Sequence, residues 1–244
     1  MPSELIIERE GTATRLFINR PEKGNALNAS LTEALIAAVT AATLDGTRLL
    51  TIEGSGSRFC SGFDFTGFED QPEGDLLLRF VRIEQLLQTI YHAPFLTAAF
   101  AHGSNFGAGA DIVAACSVRI GSPDATFCMP GLRFGVALGT RRLAYRIGQE
   151  RARKILAETL IFGAEEAKRD NFLTGIAEKA DWPATRESIG KAANNLPAES
   201  QALLLRMTTL DTRDAEMADL VRSVSVPGLK ERIRSYRQKE RPAQ

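Results

Sequence analysis

Two glycine-rich segments carry the chemistry legible in this 244-residue chain: FCSGFDF at residues 59–65 and HGSNFGAGAD at residues 102–111. Each follows an apolar, strand-like run, so each is expected to be a tight turn at the end of a strand. Two backbone N–H groups converging from two such turns can hold a carbonyl oxygen as it becomes negative. The second segment also opens a helix, whose free N–H groups and dipole favour negative charge at the same place. Asp111 follows three residues after Ala108 and is the acid or base candidate. Its other reading is an acid in a first helical turn, stabilised by the dipole.

The elements around these turns read as α/β. Residues 5–8 and 14–19 are β-branched and apolar, with Glu10-Gly11 between them, which predicts a hairpin. SLTE at 30–33 is a capping box, and a helix is expected from it to about residue 44. Residues 48–53 and 95–101 read as buried strands that run into the first and second turns. Apolar positions 76, 77, 80, 83, 86, 87 and 90 have helical spacing. Residues 111–116 read as helix and 118–121 as strand, so strand–turn–helix occurs twice. Helices are expected at 140–147, 150–160 and 164–171, and a last strand at 176–179. Trp182-Pro183 looks like a boundary, followed by helices at 184–196, 199–208, 214–224 and 227–237 and a frayed KERPAQ end.

Composition narrows the class. Thirty basic residues balance thirty acidic ones, so no overall field draws nucleic acid or an anionic membrane. Three cysteines (60, 116, 128), no CxxC pair and two histidines disfavour a structural zinc site and fit reduced thiols in the cytoplasm. The acidic N-terminus lacks the apolar core of a signal peptide. No apolar run is long enough to span a bilayer.

Further motifs fall in order along the chain. NRP at 19–21 precedes NAL at 25–27, CSGFD lies at 60–64, GSNFGAGAD at 103–111, ATFCMP at 125–130, GTRRL at 139–143 and GAEEA at 163–167. Over about residues 6–179 this resembles the enoyl-CoA hydratase/isomerase (crotonase) family, with its NRP…NAL, AAGAD, GYAFGGGCE and AxFxxPE…GGxxRL segments. The resemblance implies a ClpP/crotonase-type spiral of repeated ββα units over residues 1–182, with a C-terminal helical trimerisation and lid segment at 183–244. It implies an acyl-CoA thioester substrate, coenzyme A being part of that substrate and no separate cofactor being bound. The N–H groups of Phe63 and Ala108 are then expected on the thioester oxygen, and Asp111 as the acid or base. Ser61, Phe63, Asp64, Phe65, Thr66, Ala108 and Gly131 are expected along the substrate, and Arg20 and Lys23 near the CoA phosphates. The assembly implied is a homotrimer or a dimer of trimers.

Four departures from the family pattern bear on the chemistry. Asp111 stands for the first catalytic glutamate and is one methylene shorter. Gly131 stands for the second, so efficient two-acid hydration is not expected. Ala108 replaces a glycine, which would strain it if the position needs positive φ. Phe63 replaces an alanine and would narrow the acyl channel. Glu69, Glu73 or Glu84 is a candidate replacement acid, and Arg133 a candidate for binding an acyl carboxylate. The side chain of Asp64 is expected to cap a helix or hold its own turn. His102 and Ser104 lack an orienting partner for nucleophilic catalysis, and Cys60 and Cys128 read as inert thiols. The alternatives to a hydratase/isomerase-type enzyme are a non-catalytic acyl-CoA binder and a decarboxylase or hydrolase on the same oxyanion site.

Overall fold

A computed structural model of the chain describes residues 3–240. Strands β1 (Leu5–Glu10) and β2 (Ala13–Ile18) form the expected hairpin across Gly11. β2 pairs in parallel with β3 (Leu49–Gly54), and β3 with β4 (Leu96–Ala101). The small sheet begins with β5 (Ser104–Phe106). β6 (Val118–Gly121), after it in the chain, returns to the main sheet beside β4. β5 pairs with β7 (Thr126–Cys128), and β7 with β8 (Phe162–Gly163). β9 (Gly175–Ile176) closes the main sheet, whose order is β1-β2-β3-β4-β6-β9.

Helix α1 (Ala29–Ala42) follows the hairpin, and α2 (Glu73–Tyr91) precedes β4. α3 (Ala108–Ala115) leaves the second glycine turn. α4 (Thr140–Ile147), α5 (Gln149–Glu158) and α6 (Ala164–Arg169) follow β7. The chain ends in α7 (Trp182–Ala193), α8 (Ala198–Thr208), α9 (Arg213–Val224) and α10 (Leu229–Glu240). The frayed KERPAQ end is helical through Glu240, and its remainder lies outside the described residues.

Central strands are buried on both faces, as parallel strands between layers must be. Alternate side chains of β3 and β4 enter different cores. Leu50, Ile52, Ala99 and Ala101 pack with α1, α2 and α3. Leu49, Ala98 and Phe100 pack under Trp182 and Ala193 of α7. The turns that end β3 and β4 are thereby anchored from two sides.

Three local expectations are corrected. Asn28, not the Ser30 box, caps α1: its side chain accepts from Leu31 N at 2.7 Å. The last strand is shorter, since residues 179–181 turn as a 3-10 helix. The small sheet was not foreseen, its strands being only two or three residues long.

Candidate active site

The two glycine turns lie against one another. Phe106 N donates to Cys60 O at 3.2 Å, and Phe59 N to His102 O at 3.0 Å. Gly62, at φ +90°, permits the approach: a Cβ there would fall 2.4 Å from Phe106 O and 3.2 Å from Ala108 N. Neither the Phe63 nor the Ala108 N–H donates to a main-chain acceptor among the described residues. Ala108 is the first residue of α3, and the preceding Gly107 takes the positive φ of 50°. The added methyl at 108 therefore costs no backbone strain.

Both turns face a cavity of about 110 Å³ with mainly apolar walls. Ser61, Phe63, Phe65, Ala108, Asp111 and Gly131, all expected at the site, border it. The Phe63 ring does not swing free across the channel. It stacks on Phe80 at 4.3 Å, and the Arg79 guanidinium covers it at 4.0 Å. Tyr236 of α10 also borders the cavity and packs on Phe134 at 5.1 Å, so the last helix forms part of the wall.

Asp111 is buried, and its Oδ1 has no hydrogen-bond partner. Burial pushes its carboxyl well above the usual carboxylate range. Arg142 opposes that shift, while Glu84 and Glu216 add to it. Such a group keeps its proton to higher pH than an exposed aspartate does. Thr140 Oγ1, on the same cavity, is likewise buried without a partner. Behind them Arg142 is sealed from water. It donates to Glu84 at 3.0 Å and to Glu216 at 2.8 Å, tying α4 to α2 and α9.

Other expected residues lie elsewhere. Asp64 caps no helix: it accepts from Thr66 N at 2.9 Å and from both Arg20 terminal nitrogens. These bonds outweigh burial and hold its carboxyl below its ordinary value. The Arg20 guanidinium is buried and also engages Glu4 and the Ala26 carbonyl. It is thus committed within the fold and does not face the cavity. Lys23 and Thr66 are exposed, and neither borders the cavity. Among the acids considered as replacements, Glu69 pairs with Arg234, Glu73 accepts from Lys230 N, and Glu84 is taken by Arg142. None of them borders the cavity, nor does Arg133. His102 bonds Gly56 O at 3.0 Å and packs beside Trp182. Burial pushes the Cys60 thiol up to about 12, so it is an inert core group.

Thr140, Leu156 and Tyr236 escaped the sequence reading. Thr140 stands in the GTRRL segment, but nothing marks its hydroxyl as facing a cavity. Leu156 and Tyr236 read as ordinary helix residues.

Comparisons with known proteins give the family. A sequence model of enoyl-CoA hydratase/isomerase matches residues 8–217. The chain belongs to the enoyl-CoA hydratase/isomerase family. A Mycobacterium tuberculosis protein assigned as an enoyl-CoA hydratase, echA6, is 31% identical over 191 residues, 77% of this chain and 76% of that protein. A crotonyl-CoA hydratase of Syntrophomonas wolfei is 27% identical over 234 residues, 91% of this chain and 86% of that one. A crystal structure from Bordetella parapertussis, assigned as an enoyl-CoA hydratase/isomerase, superposes with a TM-score of 0.95. It has 48% identity and covers 98% of this chain and 99% of that one. The fold is accordingly the crotonase fold with C-terminal helices. No described helix is long and apolar enough to cross a membrane.

Proposed function

We propose that this chain binds an acyl-CoA thioester and moves a proton at the carbon next to the thioester carbonyl, through an enolate. The Phe63 and Ala108 N–H groups hold the enolate oxygen, at the N-terminus of α3, where the dipole favours negative charge. Asp111 is the single acid–base. The observation that carries this reading is its buried, unpartnered carboxyl on the same cavity as the two turns. A 3-enoyl thioester fits this equipment. Ionised Asp111 takes the C2 proton, and the electron pair shifts onto the thioester oxygen with C3=C4 retained. The same carboxyl then returns the proton to C4, leaving a C2=C3 bond and a free carboxylate. One acid suffices for this step, whereas adding water across C2=C3 uses a base and an acid together.

A second reading is an acyl-CoA binder without chemistry. It is favoured by residue 131, where a Cβ would meet Val136 O at 2.7 Å, so this backbone has closed over the place of a side chain. Decarboxylation or hydrolysis of an acyl-CoA on the same oxyanion pair is a further alternative.

The same proposal takes residues from 183 on as lid and assembly segment of a cytoplasmic homotrimer or dimer of trimers. Tyr236 in the cavity wall supports the lid role. Leu203, Leu204, Met207 and Leu210, all exposed on or just after α8, support the assembly role.

Mass spectrometry tests the chemistry directly. The protein is incubated in D2O with 2-enoyl, 3-enoyl, 3-hydroxyacyl, malonyl and methylmalonyl thioesters. Deuterium at C2 and conversion of the 3-enoyl to the 2-enoyl thioester are expected. Binding of these thioesters with no exchange and no product would leave the binder reading standing instead.

A further inference from the structure

Two cavities meet at one wall. The smaller, about 110 Å³, holds Asp111 and the two turns. The larger, about 970 Å³, lies among α4, α5 and α9 and is bordered by Tyr91, Ala144, Tyr145 and Leu210. Thr140 and Leu156 border both. Thr140 is the first residue of α4, and Leu156 is a buried residue in the last turn of α5.

The two volumes differ about ninefold. Met129, Val136, Leu138 and Leu156 on the smaller cavity are apolar side chains that suit methylenes and offer no charge to a polar acyl end. The smaller cavity therefore suits a short apolar acyl unit. A longer chain must leave it or displace the Thr140–Leu156 wall toward the larger space.

We propose that the Thr140–Leu156 wall makes this site selective for short, apolar acyl thioesters. Removing the Leu156 side chain joins the two cavities into one channel that accepts longer chains. Leu156 is here a specificity-determining residue and takes no part in proton transfer. The inference rests on the acyl-CoA reading above, and binding can be tested apart from turnover.

The experiment is calorimetric titration of the full chain with saturated straight-chain acyl-CoAs of four, six, eight, ten and twelve carbons. Wild-type affinity is expected to peak at four to six carbons and to fall by roughly tenfold or more at eight, the scale on which pockets discriminate a methylene too many. Leu156→Ala should move the peak to eight carbons or beyond. Leu156→Val gives a smaller shift in the same direction and covers the case in which the alanine variant does not fold. Wild-type affinity that rises steadily with chain length overturns the wall, as does an unchanged length profile in a folded Leu156 variant. Failure of every acyl-CoA to bind overturns the functional reading itself, which the length profile distinguishes.

Discussion

Asp111 Oδ1 occupies the space that a side chain at residue 139 would need: a Cβ built on Gly139 falls 1.8 Å from it. The carboxyl is thus held between its own helix and the start of α4, and its position depends on residue 139 having no side chain.

Gly139→Ala should therefore damage the site and the backbone together. Gly139 has φ +64°, where an alanine costs about 1–3 kcal/mol. The displaced carboxyl should lower turnover by about a hundredfold, as expected for a shift near 1 Å. Gly148→Ala is the control. Its φ is +83°, but nothing lies within 4 Å of the added Cβ. Thermal melts should show a loss for both variants, with turnover lost only at 139.

Asp111→Asn should separate chemistry from stability. Loss of the only acid on the cavity among the described residues should cut C2 exchange by about 10²–10⁴-fold. Stability at neutral pH should hold or rise, because asparagine buries no charge. The sign follows from the raised carboxyl. A folded-state value above the unfolded one contributes stability that is complete below the unfolded value and is lost as pH rises through the folded one. Wild-type stability should therefore fall relative to Asp111→Asn as pH climbs out of the acid range, measured by urea unfolding. Turnover of a 3-enoyl thioester needs the ionised form and should run the other way, rising with pH across the same interval. A pH-independent rate would remove Asp111 from the role of base.

Arg142→Met should cost about 3–5 kcal/mol in urea unfolding, since it strands two buried carboxyl groups, Glu84 and Glu216. Burial already raises the Glu84 carboxyl, so the variant should recover part of its stability as pH is lowered and Glu84 takes up a proton. Adding Glu84→Gln and Glu216→Gln should restore most of the loss at neutral pH.

Gly131→Glu should not create a two-acid hydratase. The Cβ would meet Val136 O at 2.7 Å, and Val136 N already bonds Gly131 O at 2.9 Å. The expected result is a lower melting temperature with no gain in hydration of a 2-enoyl thioester. A gain in hydration would show that this loop opens readily.

Much of the framework was legible because its signals are local. β3 and β4 are apolar runs that lead into glycine turns, and α2 shows its period over about four turns. The small sheet was hidden because two or three residues such as Phe162 and Gly163 hold no period. The Asn28 cap lost to Ser30 because a capping box is a sequence pattern, while the actual bond depends on where the chain first turns. At the site, the turns, Ala108 and Asp111 could be found from adjacent residues. Asp64 holds its own turn, one of its two expected roles. The commitment of Arg20 was missed because its pairing with Asp64 spans 44 positions, and a charged residue in a loop reads as free. Thr140, Leu156 and Tyr236 come together only through packing of separate helices.

The Arg142 cluster also bears on synthesis. Glu84 precedes Arg142 by 58 positions, but Glu216 follows it by 74. While the chain emerges from the ribosome, the guanidinium has half of its neutralising partners until α9 is made, and Tyr236 arrives later still. The nascent sheet and both glycine turns can form early, yet the pocket gains its full wall only after α10 has emerged. The growing polypeptide should accordingly begin to retain thioesters only from that point.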